Sequence, residues 1–208
     1  MGIPAAFAIF LFDLVTIVIN RLTVSYGDIP LAAMGIVLKL ERIPVNTGLG
    51  ICLGMVPLIA YNYGSGNRDR MKKFFSLAGI SMITLSCICT LMFLLFSEPI
   101  ISAFIKEEET VRQGAAFLRG RCFALPFMMA GYLIVNYMNA VNRGKISFLL
   151  AVIRHLALII PVMLILNYIF GMNGLIWSQL AADSVNAIIA YMIFRRTDKV
   201  IAEEMSHN

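Results

Sequence analysis

Long apolar runs separated by short polar breaks set the pattern of this chain. The runs fall at 4–24, 31–60, 75–96, 122–141, 147–170 and 173–194, and a membrane-spanning helix needs about 20 mostly apolar residues. The pattern predicts an all-α integral membrane protein whose six transmembrane helices form a single bundle over 1–208, with a tail at 195–208. No β-sheet is expected, because backbone exposed to lipid must satisfy its hydrogen bonds within a helix or a closed barrel. The second run is too long for a straight crossing. Its Gly48, Gly50, Gly54 and Pro57 predict a tilt or a bend. The third carries no charge from Phe74 to Ser97, and the last two meet at a tight turn over Gly171, Met172, Asn173 and Gly174.

The breaks give orientation. After Pro57 the chain reaches Tyr61, Asn62, Tyr63, Gly64, Ser65 and Gly66, then Arg68, Arg70, Lys72 and Lys73. Glycine and asparagine end helices because they tolerate left-handed backbone, and Lys or Arg beside an apolar run marks a cytoplasmic mouth. The even breaks and the C-terminus hold Arg68, Arg70, Lys72, Lys73, Arg143, Lys145, Arg195, Arg196 and Lys199. The opposite side holds Arg21, Lys106, Arg112, Arg119 and Arg121, with Glu107, Glu108 and Glu109 on an amphipathic segment before the fourth run. Both termini and the tail are therefore expected in the cytoplasm, in a multi-pass protein of the plasma (inner) membrane. The chain opens into an apolar helix without a positive leader, which is unlike a signal peptide.

Composition agrees: 60% of residues are hydrophobic and 14% charged, against about 25% charged in soluble domains, and mean hydropathy is +0.83. The net charge of +5 does not point to nucleic acid, because the basic residues sit in short breaks suited to anionic lipid headgroups. Membrane lipids are the expected surroundings. Cys52, Cys87, Cys89 and Cys122 lie in apolar stretches without metal-site spacing and read as small hydrophobes. Phosphate-loop and nucleophile-elbow motifs are absent, so neither direct ATP use nor an enzyme is expected, and no cofactor. Gly64-Ser65-Gly66 follows a helix and reads as a turn.

Chemistry then has to reside in polar groups at membrane depth, where a central charge costs about 2.5–3.5 kcal/mol on insertion scales. Asp13, Thr16 and Asn20 form one stripe on the first run; Asp13 is a candidate protonatable or Na+-binding carboxylate, or an acid paired for packing. On the second run Lys39, Arg42 and Asn46 share a face while Glu41 lies about 100° around, so Glu41 needs a partner on another helix or in water. Tyr132, Asn136 and Asn139 line up on the fourth run, where the two asparagines can offer carbonyl oxygens to a cation but cannot carry a proton. Gln179, Asp183 and Asn186 form a stripe on the sixth, with Arg154 and His155 on the fifth as a plausible tie for Asp183. Trp177 reads as an interface anchor or an aromatic wall. The methionines read as packing residues or as an adaptable pocket lining.

Several landmarks occur in order: Gly2 with Pro4, Asn20-Arg21, Tyr26-Gly27-Asp28, Ala32-Ala33, Gly35-Ile36, Arg42, the Pro57-to-Asn67 loop, and Asn142-Arg143-Gly144-Lys145. In these the chain resembles the C-terminal six-helix half of multidrug and toxic compound extrusion (MATE) transporters over nearly its whole length. The resemblance implies half of a twelve-helix antiporter exporting organic cations or drugs against Na+ or H+. The two bundles would rock about a central site. It further implies a partner, either an N-terminal half or a second copy, and poor transport by this chain alone. Phe12-Asp13 matches a family position where an acid takes part in cation coupling, with a shorter side chain here. The acid that one branch carries on its tenth helix has no counterpart among Tyr132, Asn136 and Asn139. Two alternatives remain at this stage: a lipid-linked sugar flippase half of the same superfamily, which would favour basic cavity residues such as Lys39, Arg42 and Arg154, and a non-transporting truncated remnant.

Overall fold

A computed structural model describes the backbone of residues 2–206 and the side chains of residues 10–205 except Phe12. Helix α1 (Gly2–Val24) turns at Gly27 into α2 (Asp28–Gly64), which is followed by α3 (Arg68–Leu95) and the short α4 (Ser97–Ser102). Helix α5 (Glu108–Arg121) runs through a 3-10 turn at Cys122–Ala124 into α6 (Leu125–Ala140). Helix α7 (Gly144–Val152) passes through a π turn at Ile153–Ile159 into α8 (Ile160–Phe170), and α9 spans Met172–Ser206. No strand occurs among the described residues.

Four stretches are long and apolar enough to cross a membrane: Asp28–Gly64, Arg68–Leu95, Glu108–Ala140 and Gly144–Phe170. The six-run expectation is thereby met in four. Helix α9 drops out because Ser178, Gln179, Asp183, Ser184 and Asn186 dilute its apolar content. For α1, the side chains of residues 2–9 and Phe12 lie outside the described residues.

Helix α2 packs against α1, α3, α5 and α6, while α9 packs against α6, α8 and the π turn. The core between them is methionine-rich: Met34, Met82, Met129 and Met138 are fully buried. Gly48 lets α2 and α6 approach there, since any side chain on it would run into Met129 and Met82. Outward positions are apolar as well, with Leu77, Ile80, Leu95 and Ile169 exposed, the surface expected of helices solvated by lipid.

The two ends are built differently. At one, Gly66 takes φ +71 and the Asn67 side chain caps α3 by accepting from the Arg70 amide at 3.1 Å. The residues expected to form a tail instead extend α9 across this end. Arg68 pairs with Asp198 at 3.0 Å, the Tyr137 hydroxyl donates to Asp198 at 3.1 Å, and Arg143 pairs with Glu204. Phe194 stacks on Phe75 with ring centroids 4.8 Å apart. The acids of the extension thus hold the basic loops, which gives 195–206 a reason to stay helical. At the opposite end the Tyr26 hydroxyl donates to Asn167 at 2.8 Å. Gly174 there lies against the Leu166 carbonyl, where a Cβ would collide with main chain.

Candidate functional site

Four buried charged side chains and the half-buried Gln179, from α2, α5, the π turn and α9, form one chain of hydrogen bonds inside the bundle. Arg121, at the end of α5, donates to Glu41 of α2 with both arms of its fork, Nε to Oε1 at 2.7 Å and Nη2 to Oε2 at 2.9 Å. Arg154, in the π turn, does the same to Asp183 of α9, Nε to Oδ1 at 2.7 Å and Nη2 to Oδ2 at 3.3 Å. Gln179 joins the two pairs. Its amide nitrogen donates to Asp183 Oδ2 at 2.6 Å, and its carbonyl oxygen accepts from Arg121 Nη2 at 3.5 Å. The Arg154 guanidinium lies over the Tyr132 ring, 4.7 Å from the centroid. Asp183 is fully buried, and Glu41, Arg121 and Arg154 nearly so.

Fork-shaped pairing suits this depth. Two parallel N–H···O bonds fix the geometry, and each charge is neutralised where water cannot do it. The π turn supplies the position of Arg154. In it the amide of Ile160 bonds back to the His155 carbonyl, five residues away, and that spacing loosens the usual ladder. His155 Nδ1 lies 2.9 Å from the Ala151 carbonyl, which can only accept, so Nδ1 carries the proton.

Two cavities flank this network. The smaller, about 50 Å³, is lined by Thr16, Glu41, Arg42, Arg121, Arg154, His155 and Gln179 among others. The larger, about 740 Å³, has an apolar wall including Leu49, Leu53, Val56, Val135 and Phe148. It also has a polar wall including Arg42, Asn46, Asn136, Asn139, Arg154 and Asn186. Arg42, Val45, Arg154 and His155 line both, so the cavities meet at the network. No aspartate or glutamate is among the residues lining the larger one. Arg42, Asn46, Leu53, Asn139 and Phe148 are exposed, which leaves that cavity open on one side.

The sequence-derived candidates divide accordingly. Glu41 finds its partner on another helix, and Asp183 takes the tie to Arg154. Arg42, Asn136 and Asn139 come together on the larger cavity; Asn136 Nδ2 donates to the Tyr132 carbonyl at 2.9 Å, leaving its carbonyl oxygen. Asp13 and Asn20 line neither cavity, and Asp13 is exposed. The stripe expected to carry coupling is therefore split, with only Thr16 reaching the smaller cavity. Among the described residues no cluster of three metal-binding side chains occurs. Trp177 stacks with Phe123 at 6.1 Å and is half-exposed, an aromatic pair on the outside of the bundle. Sequence reading missed Arg121 as a site residue. The signal available was an arginine placed directly against the apolar start of the fourth run.

Apolar rods around a half-open cavity with one polar wall, and charges paired across helices in the interior, describe a helical bundle built for a membrane. The MatE family profile matches residues 4–169, and the chain belongs to that family of multi-pass membrane transporters, which are not enzymes. It is 30% identical over 193 residues to the multidrug export protein MepA of Staphylococcus aureus and 31% identical to that of Staphylococcus haemolyticus. Each alignment covers 93% of this chain and 42% of the relative, so the chain spans under half the length of either. Among solved structures, a MATE in the bent conformation superposes with a TM-score of 0.92 at 14% identity, covering 99% of this chain and 46% of that one. The Vibrio cholerae MATE transporter VcmN in the bent form gives 0.88 at 17% identity, covering 95% and 45%. The all-helical membrane expectation and the family resemblance agree with these folds.

Proposed function

We propose that this chain forms one six-helix half of a secondary active exporter that moves amphiphilic drugs, organic cations among them, across the plasma membrane against Na+ or H+. The observation that carries the reading is the half-open 740 Å³ cavity in a MatE bundle. Its exposed lining leaves it incomplete until a second six-helix surface closes it, either an N-terminal half or another copy. Multidrug export is what MepA is named for, and the match covers nearly all of this chain.

Coupling belongs to Asp13 on this reading. Glu41 and Asp183 each hold an arginine fork, whereas Asp13 is exposed on α1. An acid free of such a fork can exchange a cation at little structural cost. The cytoplasmic side is the end holding the 64–67 and 141–143 loops and the end of α9, where basic residues gather.

The test joins this chain to an N-terminal half and reconstitutes the product in liposomes. Ethidium efflux should follow an imposed Na+ or pH gradient, and Asp13→Asn should abolish gradient-driven efflux while leaving protein level intact. Efflux under neither gradient sinks the exporter reading; normal efflux by Asp13→Asn moves coupling elsewhere. Reagents added outside intact cells should leave a cysteine placed in the 64–67 loop unlabelled, and strong labelling inverts the orientation.

A further inference from the structure

The larger cavity has a charge character that the export reading does not anticipate. Its charged lining residues are Arg42 and Arg154, its polar complement is mainly asparagine, and carboxylates are absent from the lining. The bundle's buried acids are occupied on the other side of the network, each held by both arms of an arginine. Arg154 gives Nε and Nη2 to Asp183, while its Nη1 is buried without a hydrogen-bond partner. Asn186 Oδ1, on the same cavity, is also buried without a donor.

We infer that this cavity takes amphiphiles bearing an oxyanion, a carboxylate or a phosphate on an apolar body, with the acidic group held by Arg42 and Arg154 where the two cavities meet. Guanidinium forks match oxyanions in shape as well as charge. A low-dielectric surrounding strengthens that match relative to water. The Asn186 oxygen selects further for a cargo with an N–H or O–H near its acid. The apolar wall of Leu49, Leu53, Val56 and Val135 receives the body. A simple cation entering the same space meets the charge of Arg42 and no carboxylate on the lining. The inference takes the exporter reading as its setting and names the class of cargo that this half recognises.

The test uses the full chain in nanodiscs of neutral phosphatidylcholine with two probes of matched body, 1-naphthoate and 1-naphthylmethylammonium, measured by equilibrium dialysis. Naphthoate should bind at least about tenfold more tightly, and Arg42→Gln should weaken it by about tenfold, the scale of one charged hydrogen bond. Arg154→Lys, which keeps a cation opposite Asp183 but loses the fork, should also weaken naphthoate, with monodisperse elution confirming the fold. Equal binding of the two probes, or naphthoate binding unmoved by Arg42→Gln, overturns the site. Repeating the measurement with phosphatidylglycerol in the disc separates the sources. Displacement of naphthoate marks a lipid headgroup as the natural oxyanion, and no displacement marks a soluble acid. Gradient-driven ethidium efflux without naphthoate preference removes this site and leaves the exporter; naphthoate preference without efflux does the reverse.

Discussion

Arg154–Asp183 and Arg143–Glu204 are the same chemistry in two solvents. The first lies inside the bundle with both side chains almost fully covered, 6% and 0% exposed; the second lies at the loop end with 34% and 42% exposed. In the interior each charge depends on its partner, because removing one leaves the other without water or counter-ion. At the end, water and salt replace a lost partner, and exposed pairs contribute about 0–1 kcal/mol. The interior pairs therefore fix how the helices stand against one another, and the end pairs mainly tether the extension of α9. Fold and site share the first set, which is why changes there should disturb both.

The largest expected effect breaks the interior side. Arg154→Ala should destabilise by about 3–5 kcal/mol, read as thermal unfolding in detergent through labelling of the buried Cys52 and Cys122. The double variant Arg154→Met with Asp183→Leu should recover most of that loss. If the double variant is no better than the single, the penalty is not an unpaired charge.

Glu41→Ala should fall at the lower end, about 3 kcal/mol, since Arg121 keeps its contact with Gln179. An effect larger than that of Arg154→Ala would reverse the ranking of the two forks. Next, Tyr137→Phe removes one neutral donor to Asp198 and should cost about 1 kcal/mol; a negligible change would mean that Arg68 alone satisfies that carboxylate. Arg143→Ala should stay within about 0–1 kcal/mol. Its effect should shrink further in 1 M salt, where the screening length drops to about 3 Å. A salt-insensitive loss would show the end pair behaving like a buried one.

The smallest effect concerns the opposite end. Gln113, and after it Arg112, donate to Glu109 and lower its pKa below the ordinary 4.5. A carboxyl lowered on folding gives stability that is present above its unfolded value and lost as pH falls through the folded one. A small loss should therefore appear below about pH 4.5, and Glu109→Gln should remove it. A pH response unchanged by Glu109→Gln assigns the titration to another acid.

Much of the helical order was legible because glycine, asparagine and basic residues punctuate it: the 64–67 loop and the Gly171 turn fall where composition changes. Sequence could also suggest the Arg154–Asp183 tie, since two opposite charges buried in adjacent apolar runs have few other options. Glu41 with Arg121 was beyond it. Their separation of 80 residues is closed only by how α5 crosses α2, which no local pattern encodes. The helical extension of α9 was missed because its charges look like a solvated tail until the basic loops are brought to meet them. Asp13 was placed at the centre of the site by its stripe, whereas helix packing turned most of that stripe away from both cavities. The cavity's basic character likewise depends on which residues the acids pair with, and pairing is a tertiary property.

The π turn at Ile153–Ile159 carries one residue more than an α turn would need. Along the rod from Gly144 to Phe170 it acts as a phase offset, so the two halves of one continuous helix are indexed differently. Deleting a residue from the turn would only return it to α spacing, whereas deleting one from regular α8 ahead of Asn167, where no surplus residue can absorb the loss, would rotate everything beyond by about 100°. Asn167 would then leave the side that meets Tyr26, and a lipid-facing edge of α8 would be driven into the bundle. Such a rod tolerates substitution far better than a change in length.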